Sequence, residues 1–183
     1  MEKIDLNWSS AGTLNDFIND TSQKYLNINK PGLYMHVMRY DGFLCVVYLG
    51  KADHILNRQV EHAASVQRGR GSIIKKPVDD THGPDIVYVP DYDSDFKEHE
   101  IDKNFTLQET NILYAPVDTK VHNLMGLEGA LLIHLWRHAD TRKYLITRIS
   151  TYQLRNYRIN NIFEKKPNQI LGFNGARSVV QTP

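Results

Sequence analysis

A single cysteine, Cys45, in 183 residues leaves no partner for an internal disulfide and no set of thiolates for a cysteine-built zinc site. Long apolar runs are missing too, since no stretch approaches the roughly 18 residues that cross a bilayer. The start MEKIDLNWSS lacks a charged segment leading into an apolar one, so it does not read as a secretion signal. These absences argue against a membrane partner, make the cytoplasm the expected compartment and leave stability to side-chain packing. Internal repeats and low-complexity tracts are absent as well. With 41% hydrophobic and 23% charged residues, the chain is neither disordered nor fibrous. Its length suits one domain, 1–183, with a sizeable insertion.

Net charge is also nearly absent, at +1, but the charges are segregated. From Asp79 to Asp102 there are nine acidic residues against Lys97. From Arg137 to Arg177 there are nine basic residues against Asp140 and Glu164. A basic end can face a polyanion, although a solvated surface of mixed charge has the same composition.

What is present is a sequence of short elements. TLNDFINDTSQKYL suggests a helix capped by Thr13, with Leu14, Phe17, Ile18 and Tyr25 on one stripe. LYMHVMR and FLCVVYL, joined through YDG, suggest a β-hairpin. A three-residue loop from Tyr40 to Gly42 would pair Tyr34 with Tyr48 and collect Leu33, Met35, Val37, Phe43, Cys45, Val47 and Leu49 on one apolar face. Tyr34, His36 and Tyr48 would share the other. A helix follows, with Asp53 as the expected cap and Leu56, Val60 and Ala63 on its buried side. The Pro/Asp/Gly-rich region at about 70–110 reads as the insertion, with a short strand in DIVYV. NILYAPV suggests a further strand and HNLMGLEGALLIHLWRHA the strongest helix. A basic C-terminal extension, about 141–183, carries a short helix near 150–157 and a turn at GFNG.

Arg58 and His62 lie one turn apart on the same side of their helix, and Lys51 stands at the strand-to-helix junction. With the tyrosine pair they would supply what a phosphodiester needs: positive charge for the non-bridging oxygens and a proton acceptor for water. Glu128 is the only charged residue between Val121 and Trp136. Burying a carboxylate among leucines is costly unless a cation meets it, and a hard oxygen ligand with few protein partners suits Mg²⁺ or Mn²⁺. Several other groups have structural readings. His134 and His138 have the spacing of a helical zinc pair but no third ligand, so they read as structural. RGRGS with Lys75 and Lys76 reads equally as a phosphate grip or a surface turn.

GLY at 32–34, YLG at 48–50, Arg58 ten residues after Tyr48, His62 four further on and the Glu of LEGALLIHL together resemble the GIY-YIG nuclease family. The resemblance implies an α+β fold with a small three-stranded antiparallel sheet flanked by helices. It also implies a DNA endonuclease with one divalent metal held by Glu128. Tyr34 would take the proton of the attacking water, as a phenolate or by relay through His62. Arg58 would stabilise the transition state, and Lys51 and Tyr48 would position phosphate or water. A stand-alone, restriction-type enzyme acting on double-stranded DNA, compatible with a homodimer, fits the absence of attached modules. The family's Asn about a dozen residues after the Glu is missing, and Asn174, with Asn168 behind it, is the candidate for its place. The alternative is a domain that binds nucleic acid or another partner without catalysis.

Overall fold

The computed structural model describes residues 2–19, 26–40, 42–76, 86–89, 100–147, 157–164, 170–173 and 177–181. The expected helix near 150–157 lies outside them except for Tyr157, which opens a strand, and Asn168, Asn174 and Tyr25 lie outside them entirely. Among the described residues eight strands form: β1 (Glu2–Thr13), β2 (Gly32–Tyr40), β3 (Phe43–Ala52), β4 (Gly71–Ile74), β5 (Ile86–Val89), β6 (Asn111–Pro116), β7 (Tyr157–Phe163) and β8 (Arg177–Gln181). The helices are α1 (Asp16–Asn19), α2 (Ile55–Gln67), α3 (Glu100–Glu109), α4 (Leu124–Arg137) and α5 (Ala139–Arg142).

The expected sheet is corrected. It has six strands, in the order β3-β2-β6-β1-β7-β8, is mixed rather than antiparallel, and curls strongly into a half-barrel. β1 pairs with β6 antiparallel and with β7 parallel, and β7 pairs with β8 antiparallel. β1 occupies the opening residues, where no element was expected. Its Ile4, Leu6 and Trp8 point inward at alternate positions, and Trp8 Nε1 donates to Asn161 Oδ1 of β7 at 2.9 Å inside the core. Chain length requires the curl. Leu44 at the free edge of β3 bridges to Ile170 and accepts from Leu171 N at 2.9 Å, yet β8 begins at Arg177 on the opposite edge. An extended chain from residue 171 to 177 reaches roughly 20 Å, whereas six flat strands are roughly 24 Å across.

Helices cover both faces of the β2–β3 hairpin. Leu127, Leu131 and Leu135 of α4 join Leu33, Met35, Val37 and Leu49 in the main core, while Ile55, Leu56, Ala63 and Val66 of α2 pack with Tyr34, Leu14 and Phe17. Each fully buried side chain of this size contributes roughly 1.5–3 kcal/mol relative to exposure. Thr13 ends β1 instead of capping a long helix, and its N–H and hydroxyl both reach Asp16 Oδ2. α2 is capped at His54, not Asp53, whereas Asn123 caps α4 by accepting from Gly126 N at 3.1 Å. The strand in DIVYV forms as β5 and pairs with β4.

The hairpin register also differs. Tyr40 pairs with Phe43, so the turn is two residues long, with Gly42 at φ +76°. A bulge between His36 and Val37 then shifts the ladder, so that His36 faces Tyr48 and Tyr34 faces Gly50. The shift keeps Tyr34, His36 and Tyr48 on one face but divides the expected apolar set. Cys45 and Val47 join Met38 and Tyr40 in a separate cluster, and Val46 joins the main core instead.

Candidate active site

β2 and β3 place Tyr34, His36 and Tyr48 side by side, and α2 lies across them. The rings of Tyr34 and Tyr48 stack with centroids 5.9 Å apart. His36 lies 5.6 Å from Tyr34 and 5.3 Å from Tyr48, and His62 lies 5.0 Å from His36. Gly50 makes this packing possible. A Cβ there would stand 2.6 Å from Tyr34 Oη and 2.7 Å from Tyr48 Cε1, so the glycine of YLG is required by the ring that lies over it.

The hydrogen bonds have a direction. Burial, reinforced by the neighbouring Tyr48, raises the Tyr34 phenol far above its ordinary value, and the nearby Arg58 guanidinium lowers it only in part. The phenol therefore keeps its proton. The phenol donates to His62 Nε2 at 2.9 Å, with the Arg58 guanidinium as the neighbouring positive charge. Burial lowers the His62 pKa, and the nearby His36 and Arg58 lower it further, which keeps the ring neutral and able to accept. Behind it, His36 Nε2 donates to Gln59 Oε1 at 2.7 Å, and burial pushes His36 down to about 4. Burial alone would lower the Arg58 pKa, but the hydrogen bond to Glu61 and the nearby Tyr34 raise it, and Arg58 Nη1 meets Glu61 Oε2 at 2.7 Å. A cleft of about 310 Å³ runs along this group, with His36, Tyr48, Arg58 and His62 in its wall.

Lys51 and Glu128 form a second group. The register sets Lys51 opposite Leu33, on the face that α4 covers, and its Nζ stands 3.7 Å from Glu128 Oε2. Burial raises the Glu128 pKa, and Lys51 pulls it back in part. Glu128 Oε2 is buried without a hydrogen-bond partner among the described residues. Such an oxygen fits a hard cation. Among the described residues no three His, Cys, Asp or Glu side chains come together as a metal cage, so an ion on Glu128 would keep most of its waters.

Of the residues singled out in the sequence, Tyr34, Tyr48, Arg58 and His62 thus come together, Lys51 and Glu128 pair on the other face of the hairpin, and Asn174 falls outside the described residues. Sequence reasoning missed Gln59. Its signal was a polar side chain on the Leu56–Ala63 stripe, where it is fully buried. His134 Nε2 donates to Gly172 O at 2.7 Å, which ties the histidine pair to the structure. Comparison with protein-family profiles, curated proteins and solved structures finds no match for this chain.

Proposed function

We propose that the chain is a metal-assisted endonuclease that hydrolyses phosphodiester bonds in DNA, using GIY-YIG-like residues set into a larger sheet. The Tyr34–His62 hydrogen bond, with the Arg58 guanidinium beside it, carries this reading. As the oxygen of the attacking water bonds to phosphorus and the bond to the leaving sugar oxygen breaks, the water loses a proton. That proton passes to Tyr34 Oη while the phenolic proton moves onto His62 Nε2, so no free phenolate is needed. Arg58 carries the positive charge that the phosphorane-like transition state requires. Tyr48, in the cleft wall, orients the phosphate or the water. Glu128 would hold Mg²⁺ or Mn²⁺, which supplies further charge stabilisation when bound.

One observation favours the binding-domain alternative: Lys51 already stands as a counter-ion to Glu128. Incubation with supercoiled plasmid separates the two. Nicking that needs Mg²⁺ or Mn²⁺ and is lost in Tyr34→Phe is the expected result. Salt-sensitive DNA binding without nicking would favour the binding domain.

A further inference from the structure

We infer that the cleft along α2 takes one unpaired nucleotide of the substrate strand, so that the enzyme acts on single-stranded or locally opened nucleic acid and not on a continuous duplex. This rests on the hydrolase reading and specifies its substrate. Three observations carry it.

The first is depth. Tyr34 is only 1% exposed and His62 is half-buried, so a phosphate reaches their hydrogen bond only by entering the cleft. A paired nucleotide is held in its stack and cannot follow its phosphate inward, whereas an unpaired one can. The second is size. The cleft encloses about 310 Å³, room for a single nucleotide but not for a base pair. From Arg58 to the end of α2 at Gln67 the helix rises roughly 14 Å, enough to lay a nucleoside beside its phosphate.

The third is the distribution of chemistry. Arg58 and His62 line the cleft, Glu61 beside them pairs with Arg58, and Leu14, Val66 and Ile146 add apolar wall. An anionic backbone suits Arg58 and a nucleobase suits the apolar wall, with the Tyr48 ring as a stacking surface. A polar handle waits there as well. Thr110 is 1% exposed, lines the cleft, and its Oγ1 has no hydrogen-bond partner among the described residues. A buried hydroxyl left unpaired costs stability, and a base edge would satisfy it.

The test measures binding and cleavage separately. Calorimetry on the intact chain compares deoxyadenosine monophosphate, inorganic phosphate, deoxyadenosine and a trinucleotide with a central adenine. The monophosphate should bind roughly tenfold or more tighter than phosphate or the nucleoside alone, and the trinucleotide tighter still. Ser65→Phe, which fills the cleft from the exposed side of α2, should abolish this preference while leaving the melting temperature unchanged. Cleavage is then compared on a labelled single strand, its perfect duplex and the duplex with one bulged nucleotide. The single strand and the bulge should be cut at least about tenfold faster than the duplex. Equal cutting of all three, or a monophosphate that binds no better than phosphate, would overturn the inference while leaving the hydrolase intact. Free monophosphate binding as tightly as the trinucleotide would overturn its strand-borne form. Selective trinucleotide binding with no cleavage of any substrate would support the cleft assignment and remove the hydrolase reading.

Discussion

Two polar groups flank the β2–β3 hairpin, and they are finished to different degrees. On the α2 face Tyr34 donates to His62 Nε2 and His36 Nε2 donates to Gln59 Oε1, although Gln59 Nε2 is buried without a hydrogen-bond partner among the described residues. On the α4 face Glu128 has one cation at 3.7 Å and a buried oxygen without a hydrogen bond. The first group is preorganised, with proton donors and acceptors fixed before any substrate arrives. The second keeps unsatisfied capacity, as a site for an added ion would. The two also respond oppositely to acid, because burial lowers the pKa of the histidines and raises that of the carboxyl.

The largest expected break in this comparison is Tyr34→Phe. The ring and its stacking remain, but the hydroxyl that donates to His62 is gone. Plasmid nicking should fall by roughly 10²–10⁴-fold, with little change in melting temperature. Retained nicking would remove Tyr34 from the proton path. Lys51→Met, on the other face, should leave that hydrogen bond intact.

Acid comes next. The folded His36 pKa, about 4, lies below the ordinary 6.5 of the unfolded chain, so its stabilising contribution is complete above pH 6.5 and is lost as pH falls through about 4. The cost is on the order of 3 kcal/mol by the low end of that window. Urea unfolding at a series of pH values should show this decline, and His36→Gln should flatten it. A smaller effect, roughly 1–3 kcal/mol, is expected for Gly50→Ala, whose methyl must displace Tyr34 or Tyr48. Its circular dichroism should report the shifted tyrosines in the near ultraviolet.

The tyrosine face was legible because strand side chains alternate with period two, so a register wrong by two residues still placed Tyr34, His36 and Tyr48 together. The bulge at His36/Val37 was not legible, since no glycine or proline marks it. β1 carried the alternating Ile4, Leu6 and Trp8, but its partners lie far along the chain: Leu6 pairs with Asn161. Nothing local announces such a pairing, and the sheet was therefore expected to be half its actual width. Arg58 and His62 followed from helical spacing alone. The placement of Glu128 depended on which face of the hairpin α4 covers, which its own leucines cannot specify.

Glu128→Gln should give the smallest change in stability, and it sharpens the comparison most. The amide keeps the shape of the carboxyl and is easier to bury, while the attraction lost is that of Lys51, whose side chain is 33% exposed and screened by water. At neutral pH the variant should therefore match the wild type within about 1 kcal/mol. The raised Glu128 pKa makes a second difference. Its favourable contribution is complete below the ordinary carboxylate pKa and is lost as pH rises through the folded value, opposite in sign to that of His36. Glu128→Gln should remove this decline and leave the histidine trend alone. Mg²⁺ provides the last discrimination, because an ion that binds only the folded chain raises the melting temperature with concentration. That rise should be present in the wild type above the Glu128 pKa and absent in the variant. A variant that loses several kcal/mol, or that keeps the Mg²⁺ response, would make Glu128 a structural counter-ion of Lys51 and move any metal elsewhere.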